Sequence, residues 1–371
     1  MRKFLVSVVC ALCIVITSGA NADSERSAKI RTFKNDYAAY QAAYDAGDFA
    51  AALIKAQSTY DLGSELFDKS HPNLIGLTYN LGYVLLATGE RVKAEPYLET
   101  ALELSETAYK DSNPERLIPV LMDLADAKAR AFEPRTVKKE FSRALRISEK
   151  VYGEKSVEFA RLNADIAREY TYMIRTTDGR RYINRSLEIM AEVAGTASKE
   201  YALVAFEKAK YEFGQRDYKD AERYFTHALE VFESPEVSAD KLELSSHAFL
   251  TQVYQNTDRE AEATKHCLAI GRASPAVNVR EMMPIVRVVP KYPNKAARQG
   301  AQGWVDLQFD VDESGFVINP VVTGSGGDKG FFEDSALEAI KKHRYAPAFK
   351  DGKSILTEGV ELRLIYEMAE G

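Results

Sequence analysis

From residue 36 to residue 272 apolar side chains return every three or four positions, the period of a helix with one buried stripe. The pattern itself recurs every 42 residues, once after 43. One column reads Ala52, Ala94, Val137, Gly179, Ala221 and Ala263. Four residues on, a second reads Ala56, Leu98, Phe141, Ile183, Phe225 and Cys267. Two more read Thr59, Ala101, Ala144, Ser186, Ala228, Ile270 and Tyr60, Leu102, Leu145, Leu187, Leu229, Gly271. Steps of four, three and one residues place these columns on one helical face.

An earlier set of columns marks a preceding helix in each repeat. It reads Ala39-Tyr40, Leu81-Gly82, Leu124-Ala125, Ile166-Ala167, Lys208-Ala209 and Leu250-Thr251. Small residues there allow two helices to approach closely. The first helices are expected to start at His71, Asn113, Ser156, Ser198 and Asp240, four of them residues that cap orphan N–H groups. Pro72 and Pro114 suit a first helical position, where no N–H is needed. Gly47-Asp48-Phe49 and Gly89-Glu90 supply turns between paired helices. Six helix pairs in register predict an α-solenoid over 36–272, since a single pair cannot bury its apolar face alone.

After Gly271 the character changes. Residues 273–283 read as a linker, and from Pro284 the pattern alternates. Val305, Leu307, Phe309 and Val311 fall on one face, Asp306, Gln308 and Asp310 on the other, as in a half-buried strand. Asp312-Glu313-Ser314-Gly315 predicts a hairpin loop, and Phe316 to Val322 a second strand. Phe331 to His343 reads as a helix. A third strand runs through Val360, Leu362, Leu364, Tyr366 and Met368. The 284–371 segment is therefore expected to be a small α+β domain: short helix, then β-β-α-β.

The amino terminus carries a different signal. Met1-Arg2-Lys3 precedes an apolar run from Phe4 to Thr17, then Ser18-Gly19-Ala20-Asn21-Ala22. This is the order of a secretory signal peptide, 1–22, cut after Ala22. The run is shorter than the roughly 20 apolar residues of a membrane span. With Cys10 and Cys13 removed, Cys267 is the only cysteine left, so no intrachain disulfide forms and no four-cysteine zinc site exists. A net charge of −6 argues against general affinity for nucleic acid, which needs basic surface to displace counterions.

Candidate chemistry is sparse. Gly324-Ser325-Gly326-Gly327-Asp328-Lys329-Gly330 precedes a helix but lacks the order of a phosphate loop, and reads as a connecting loop. The five histidines show no metal-ligand spacing. His266-Cys267 is one soft pair, but Cys267 lies in the apolar column of Leu98, Phe141 and Phe225, which predicts burial. No serine sits in a nucleophile elbow. Asp310, Asp312 and Glu313 lack the spacing of a calcium loop and read as a solvated hairpin tip. Lys138-Lys139, Arg180-Arg181 and Lys341-Lys342 are short basic pairs on solvated helix faces. These observations predict no enzyme, no cofactor and no metal.

Two resemblances follow from the residues. Asn80-Leu81-Gly82, Ala94, Leu98 and Ala101-Leu102 resemble tetratricopeptide repeats. The 42-residue period exceeds the common length of about 34. It is similar to the longer kinesin-light-chain variety, whose repeat starts match His71-Pro72 and Asn113-Pro114. That resemblance implies a surface for protein partners, not an activity. The carboxy-terminal segment carries Tyr292-Pro293, Ala296-Ala297, Gly300, Gly303, Val305 to Val311, Gly315, Val317, Phe331-Phe332 and Arg344-Tyr345-Ala346-Pro347. It resembles the C-terminal domain of TonB, the periplasmic energy transducer of Gram-negative bacteria. His343 stands where that family usually has Trp.

In that family the domain captures a short extended segment of an outer-membrane receptor by pairing it with an exposed strand. The resemblance implies partner-binding roles for Tyr292, Pro293, Thr357, Glu358, Val360, Glu361, Arg363, Ile365 and Glu367. Family transducers also have a permanent membrane helix and a long Pro-rich spacer. Here the leader is of the cleavable kind, and repeats stand in the spacer's place. The expected protein is a periplasmic interaction adaptor, with a second partner on the repeat surface. The alternative is a transducer anchored in the inner membrane by an uncleaved leader.

Overall fold

The computed structural model describes residues 20–68, 71–129, 137–172, 177–235, 237, 239–273, 282, 284–327 and 330–368. The expected leader lies outside these residues except for its last three, and so does nearly all of the 273–283 linker. The chain divides into two compact units, one ending at Ala194 and the other beginning at Gly195.

The first unit holds four helix pairs. They are α1 (Ala20–Ala46) with α2 (Phe49–Leu66), α3 (Pro72–Ala87) with α4 (Arg91–Tyr109), α5 (Leu117–Lys128) with α6 (Lys138–Tyr152), and α7 (Val157–Tyr172) with α8 (Thr177–Val193). The expected columns are its core. Ala52, Ala94, Val137, Leu98, Phe141, Ala101 and Ala144 are buried. Gly82 explains the small-residue column: a Cβ there would come within 2.8 Å of Leu98 Cγ. Tyr79 donates a 2.5 Å hydrogen bond to the buried Asp123 carboxylate, tying α3 to α5.

The second unit begins with two further pairs, α9 (Lys199–Gly214) with α10 (Tyr218–Phe232) and α11 (Asp240–Asn256) with α12 (Glu260–Ala273). Phe225, Ala228, Leu229 and Cys267 continue the columns, all buried. Lys208 breaks the pattern. It occupies the column of Leu81, Leu124, Ile166 and Leu250, yet it is 4% exposed, paired at 2.5 Å with Glu212, which is fully buried.

Repeat starts and turns obey the local chemistry, with exceptions. Ser156 and Ser198 accept from the N–H groups of Phe159 and Tyr201. His71 caps α3 through Nδ1, which accepts from Asn73 N–H. Asn113 makes no side-chain cap to the 3-10 turn before α5, and Asp240 lies inside α11 behind Ala239. Gly47 and Gly89 turn between paired helices at φ +75° and +84°. The same repeat position holds Arg216 (φ +61°) and Asp258 (φ +56°), so two side chains adopt a left-handed turn that usually favours glycine.

The carboxy-terminal part of the second unit is built on β2 (Gly303–Val311), flanked antiparallel by β3 (Val317–Gly327) and β7 (Thr357–Tyr366) in the order β3-β2-β7. A short helix α13 (Asn294–Gln299) precedes β2, and α14 (Glu333–Ile340) contributes Ala336, Ala339 and Ile340 to the core. Val305, Leu307, Phe309 and Val311 face that core, as the alternation requires, with Val360, Leu364 and Tyr366 from β7. Short pairings complete the domain: β1 (Pro284–Val286) with β4 (Arg344–Tyr345), and β5 (Ala348–Lys350) with β6 (Lys353–Ile355).

Two expectations need correction. Gly324 to Gly327 is strand, not loop: these residues pair with Gly303 to Asp306. The glycines make room for Trp304, since a Cβ on Gly326 would lie 2.5 Å from the indole. The third strand stops at Tyr366, so Met368 lies beyond it and is exposed.

Candidate functional site

The candidate binding residues converge on β7. Its register with β2 is unbroken from Gly303↔Tyr366 to Phe309↔Val360, and it is the last strand on that side of the sheet. Glu358, Glu361, Arg363 and Ile365 point to solvent, Ile365 with 64% of its surface exposed. Thr357 and Val360 are buried, so only their backbone could meet a partner. Glu367 follows the end of the strand.

Tyr292 reaches the far end of β7. Its ring stands edge-on to Tyr366 and Phe332, with centroids 6.0 and 5.6 Å away, and its hydroxyl donates to the Ala301 carbonyl. Pro293 caps α13 at φ −66°, which suits its ring. Burial pushes the Tyr366 phenol up, and its hydroxyl donates to the Phe332 carbonyl. The outer face of β7 is stiffened by one cluster. Arg363 donates two 2.7 Å bonds to Asp306 and lies 4.0 Å over Trp304. The guanidinium holds the Asp306 carboxyl below its ordinary value.

The sheet has two edges, and they differ. β3 carries Pro320, which has no N–H, next to Asn319 at φ +53°, and its register with β2 shifts twice. Such an edge is blunted against strand addition. β7 has no proline and a straight run from Val360 to Tyr366. It presents alternate N–H and C=O groups along its outer side.

Other chemistry-bearing groups were not legible in the spacing. His247 and His266, both buried, face each other across a 2.7 Å Nδ1–Nδ1 hydrogen bond. Burial, then the neighbouring His247, pushes His266 down to about 4. Glu233, Glu243 and His247 bring three oxygen or nitrogen atoms within 4.8 Å of one another. Cys267 is buried as expected, and burial pushes its thiol up. His343, in the family's Trp position, is fully buried and bonded through Nε2 to the Val288 carbonyl. Among the described residues no helix is long and apolar enough to cross a membrane.

Residues 288–368 match the model of the Gram-negative bacterial TonB protein C-terminal family, and residues 77–115 match a tetratricopeptide repeat. No curated protein matches the chain significantly. Solved structures similar to it include BtubC from P. vanneervenii, 16% identical, covering 68% of this chain and 90% of its own, at a TM-score of 0.46. The kinesin-light-chain TPR-like repeats of Podosopora anserina are 12% identical, covering 58% and 97%, at 0.43. A Rap protein complexed with competence and sporulation factor is 16% identical, covering 68% and 76%, at 0.41. Both matched families are protein-interaction domains, and the TonB C-terminal family belongs to the Gram-negative envelope. Along the chain, helix pairs, one stretch of which matches a tetratricopeptide repeat over 77–115, are followed by a small strand-rich domain whose residues 288–368 match the TonB C-terminal family.

Proposed function

We propose that this protein is a non-enzymatic adaptor of the periplasm, delivered there by a cleaved leader. The C-terminal domain, residues 284–371, captures an extended protein segment, such as one from an outer-membrane transporter. The repeats, joined to it through the 273–283 linker, hold a second protein. The observation that carries this reading is the difference between the two sheet edges. β3 is interrupted by Pro320 and Asn319, whereas β7, past a bulge near Gly359, keeps its register from Val360 to Tyr366 and is unpaired on its outer side among the described residues. An added strand gains main-chain hydrogen bonds along β7. Side chains next to Glu361, Arg363 and Ile365 then set its specificity.

The test is amide hydrogen exchange on the full chain, with and without peptides from the periplasm-facing amino termini of outer-membrane receptors. N–H groups along a strand alternate between its two sides. Neighbouring amides such as Arg363 and Leu364 should therefore respond differently, every second position of β7 gaining protection. Binding without that alternation sinks strand addition. Sequencing the mature protein from cells tests the leader: a start at Asp23 is expected, and retained residues 1–22 would refute cleavage.

A further inference from the structure

This inference rests on the solenoid being a partner surface, and names the chemistry of that partner. In the first unit, α5, the last turns of α6 and α7 together line a half-open cavity of about 250 Å³. Ile118 and Met122 from α5 and Leu162 from α7 line it, Met122 and Leu162 being buried. Positions 118 and 122, like 158 and 162, are four apart, so each helix offers one stripe to the cavity. Tyr152, at the end of α6, is 40% exposed at its mouth.

Two carboxylates on the more exposed part of the lining are Glu115, half-buried in the turn before α5, and Glu158, exposed in the first turn of α7. Neither forms an ion pair with another described residue. Both lie close enough to Tyr152 to push its phenol up, after burial itself. The other charges on the lining, Asp165 and Arg161, have partners of their own. Asp165 is bonded to Arg168 at 2.6 Å, and Arg161 also has a polar or charged partner. An apolar cavity with two uncompensated acids at its entrance is the inverse image of a long cationic side chain. Its methylenes suit Ile118, Met122 and Leu162, and its head suits the carboxylates.

We propose that this cavity receives a lysine or arginine side chain from an extended segment of the solenoid's protein partner. Charge complementarity commits the site to a basic protein segment. A cationic head between Glu115 and Glu158 replaces their mutual repulsion with two charge-assisted hydrogen bonds.

The test uses the full chain and a dye-labelled octapeptide, acetyl-Ala-Ala-Lys-Leu-Ala-Lys-Ala-Ala-amide, read by fluorescence anisotropy. Its partner probe carries norleucine for both lysines, which keeps the stem and deletes the charge. The lysine peptide should bind at least about tenfold more tightly than the norleucine peptide, and the preference should shrink with added salt. The double variant Glu115→Gln, Glu158→Gln should erase the preference. Both residues are at least partly exposed, so the variant should keep its circular dichroism spectrum. A second variant, Ile365→Pro on β7, asks whether the sheet edge contributes to this binding.

Equal affinity for the two peptides, or no binding of the lysine peptide up to about 1 mM, overturns the cationic pocket. Full competition by spermidine at equal concentration overturns it in favour of a small amine. A preference that survives the double variant also overturns it. Loss on Ile365→Pro instead moves capture to the sheet edge and counts against the solenoid as the partner surface.

Discussion

The guanidinium of Arg344 lies flat over the ring of Phe316, 3.5 Å from its centre, while its Nη2 donates to Thr264 Oγ1 at 2.9 Å and to the Ser314 carbonyl at 3.0 Å. Thr264 is on the last repeat helix and Ser314 at the tip of the β2–β3 hairpin. One side chain, 2% exposed, therefore joins repeat and sheet within the second unit. Its Nε has no hydrogen-bond partner among the described residues, so the ring face carries much of the compensation for burying the charge.

Arg344→Lys is accordingly not conservative, because an ammonium loses the flat stack and the fork of donors. It should destabilise the second unit by about 1–3 kcal/mol in denaturant titrations. In a double-mutant cycle with Phe316→Leu the coupling should be about 1 kcal/mol or more. Additive effects would remove the stack from the account.

Acid should loosen the same unit. Burial pushes His247, His266 and His343 below their ordinary value of 6.5, His266 to about 4. The folded state thus refuses protons that the unfolded chain accepts. The stabilisation is complete above about pH 6.5 and is lost as pH falls toward 4, with His266 contributing up to about 3 kcal/mol. Many carboxylates titrate in that range, so the diagnostic is a difference: His266→Gln should flatten the pH dependence of unfolding between 6.5 and 4. An unchanged slope would mean that the imidazole pair protonates without cost.

The buried pair in α9 should behave asymmetrically. Lys208→Leu leaves the fully buried Glu212 without its cation and should cost about 3–5 kcal/mol. Adding Glu212→Leu should recover most of that loss, because leucine matches the other members of the column. Thermal unfolding of the two variants decides it. A double variant as weak as the single one would show that the pair specifies the helix contact.

Overpacking tests the repeat register. Gly82→Ala forces a Cβ to within 2.8 Å of Leu98 Cγ, so it should lower stability by about 1–3 kcal/mol. Leu98→Val on that background should relieve part of the strain. A neutral Gly82→Ala would mean that α3 and α4 are not pressed together at this point.

Much of the fold was legible because its signals are periodic. Six repeats of one column overdetermine the helix pairs, and Val305 to Val311 alternates so cleanly that β2 has the expected bounds. Gly324 to Gly327 reads as loop because glycine runs resemble loops in composition, yet it is strand. Their strand geometry depends on Trp304, about twenty positions away. β1, β4, β5 and β6 are two or three residues long, too short to carry a period. Arg344 belongs to a recognisable motif, but its partner Thr264 is 80 residues distant and only folding brings the two together. Lys208 stands in an apolar column, and only the folded helix shows that it is buried there with Glu212 as its partner. The strand β7 was legible from alternation, whereas its candidate binding residues came only from the resemblance to the TonB domain, and the blunting of the rival edge depends on the φ of Asn319.

Trp304 is the chain's single tryptophan. It sits beneath Arg363, against Gly326, directly across from Ile365 on the strand with the open edge. The protein therefore has a built-in optical reporter. A segment arriving along β7 should alter the water and charge around one indole, and its emission should change without any dye. Capture at the sheet edge can then be followed in the unmodified protein at nanomolar to micromolar concentration, while events confined to the first unit should leave that signal silent.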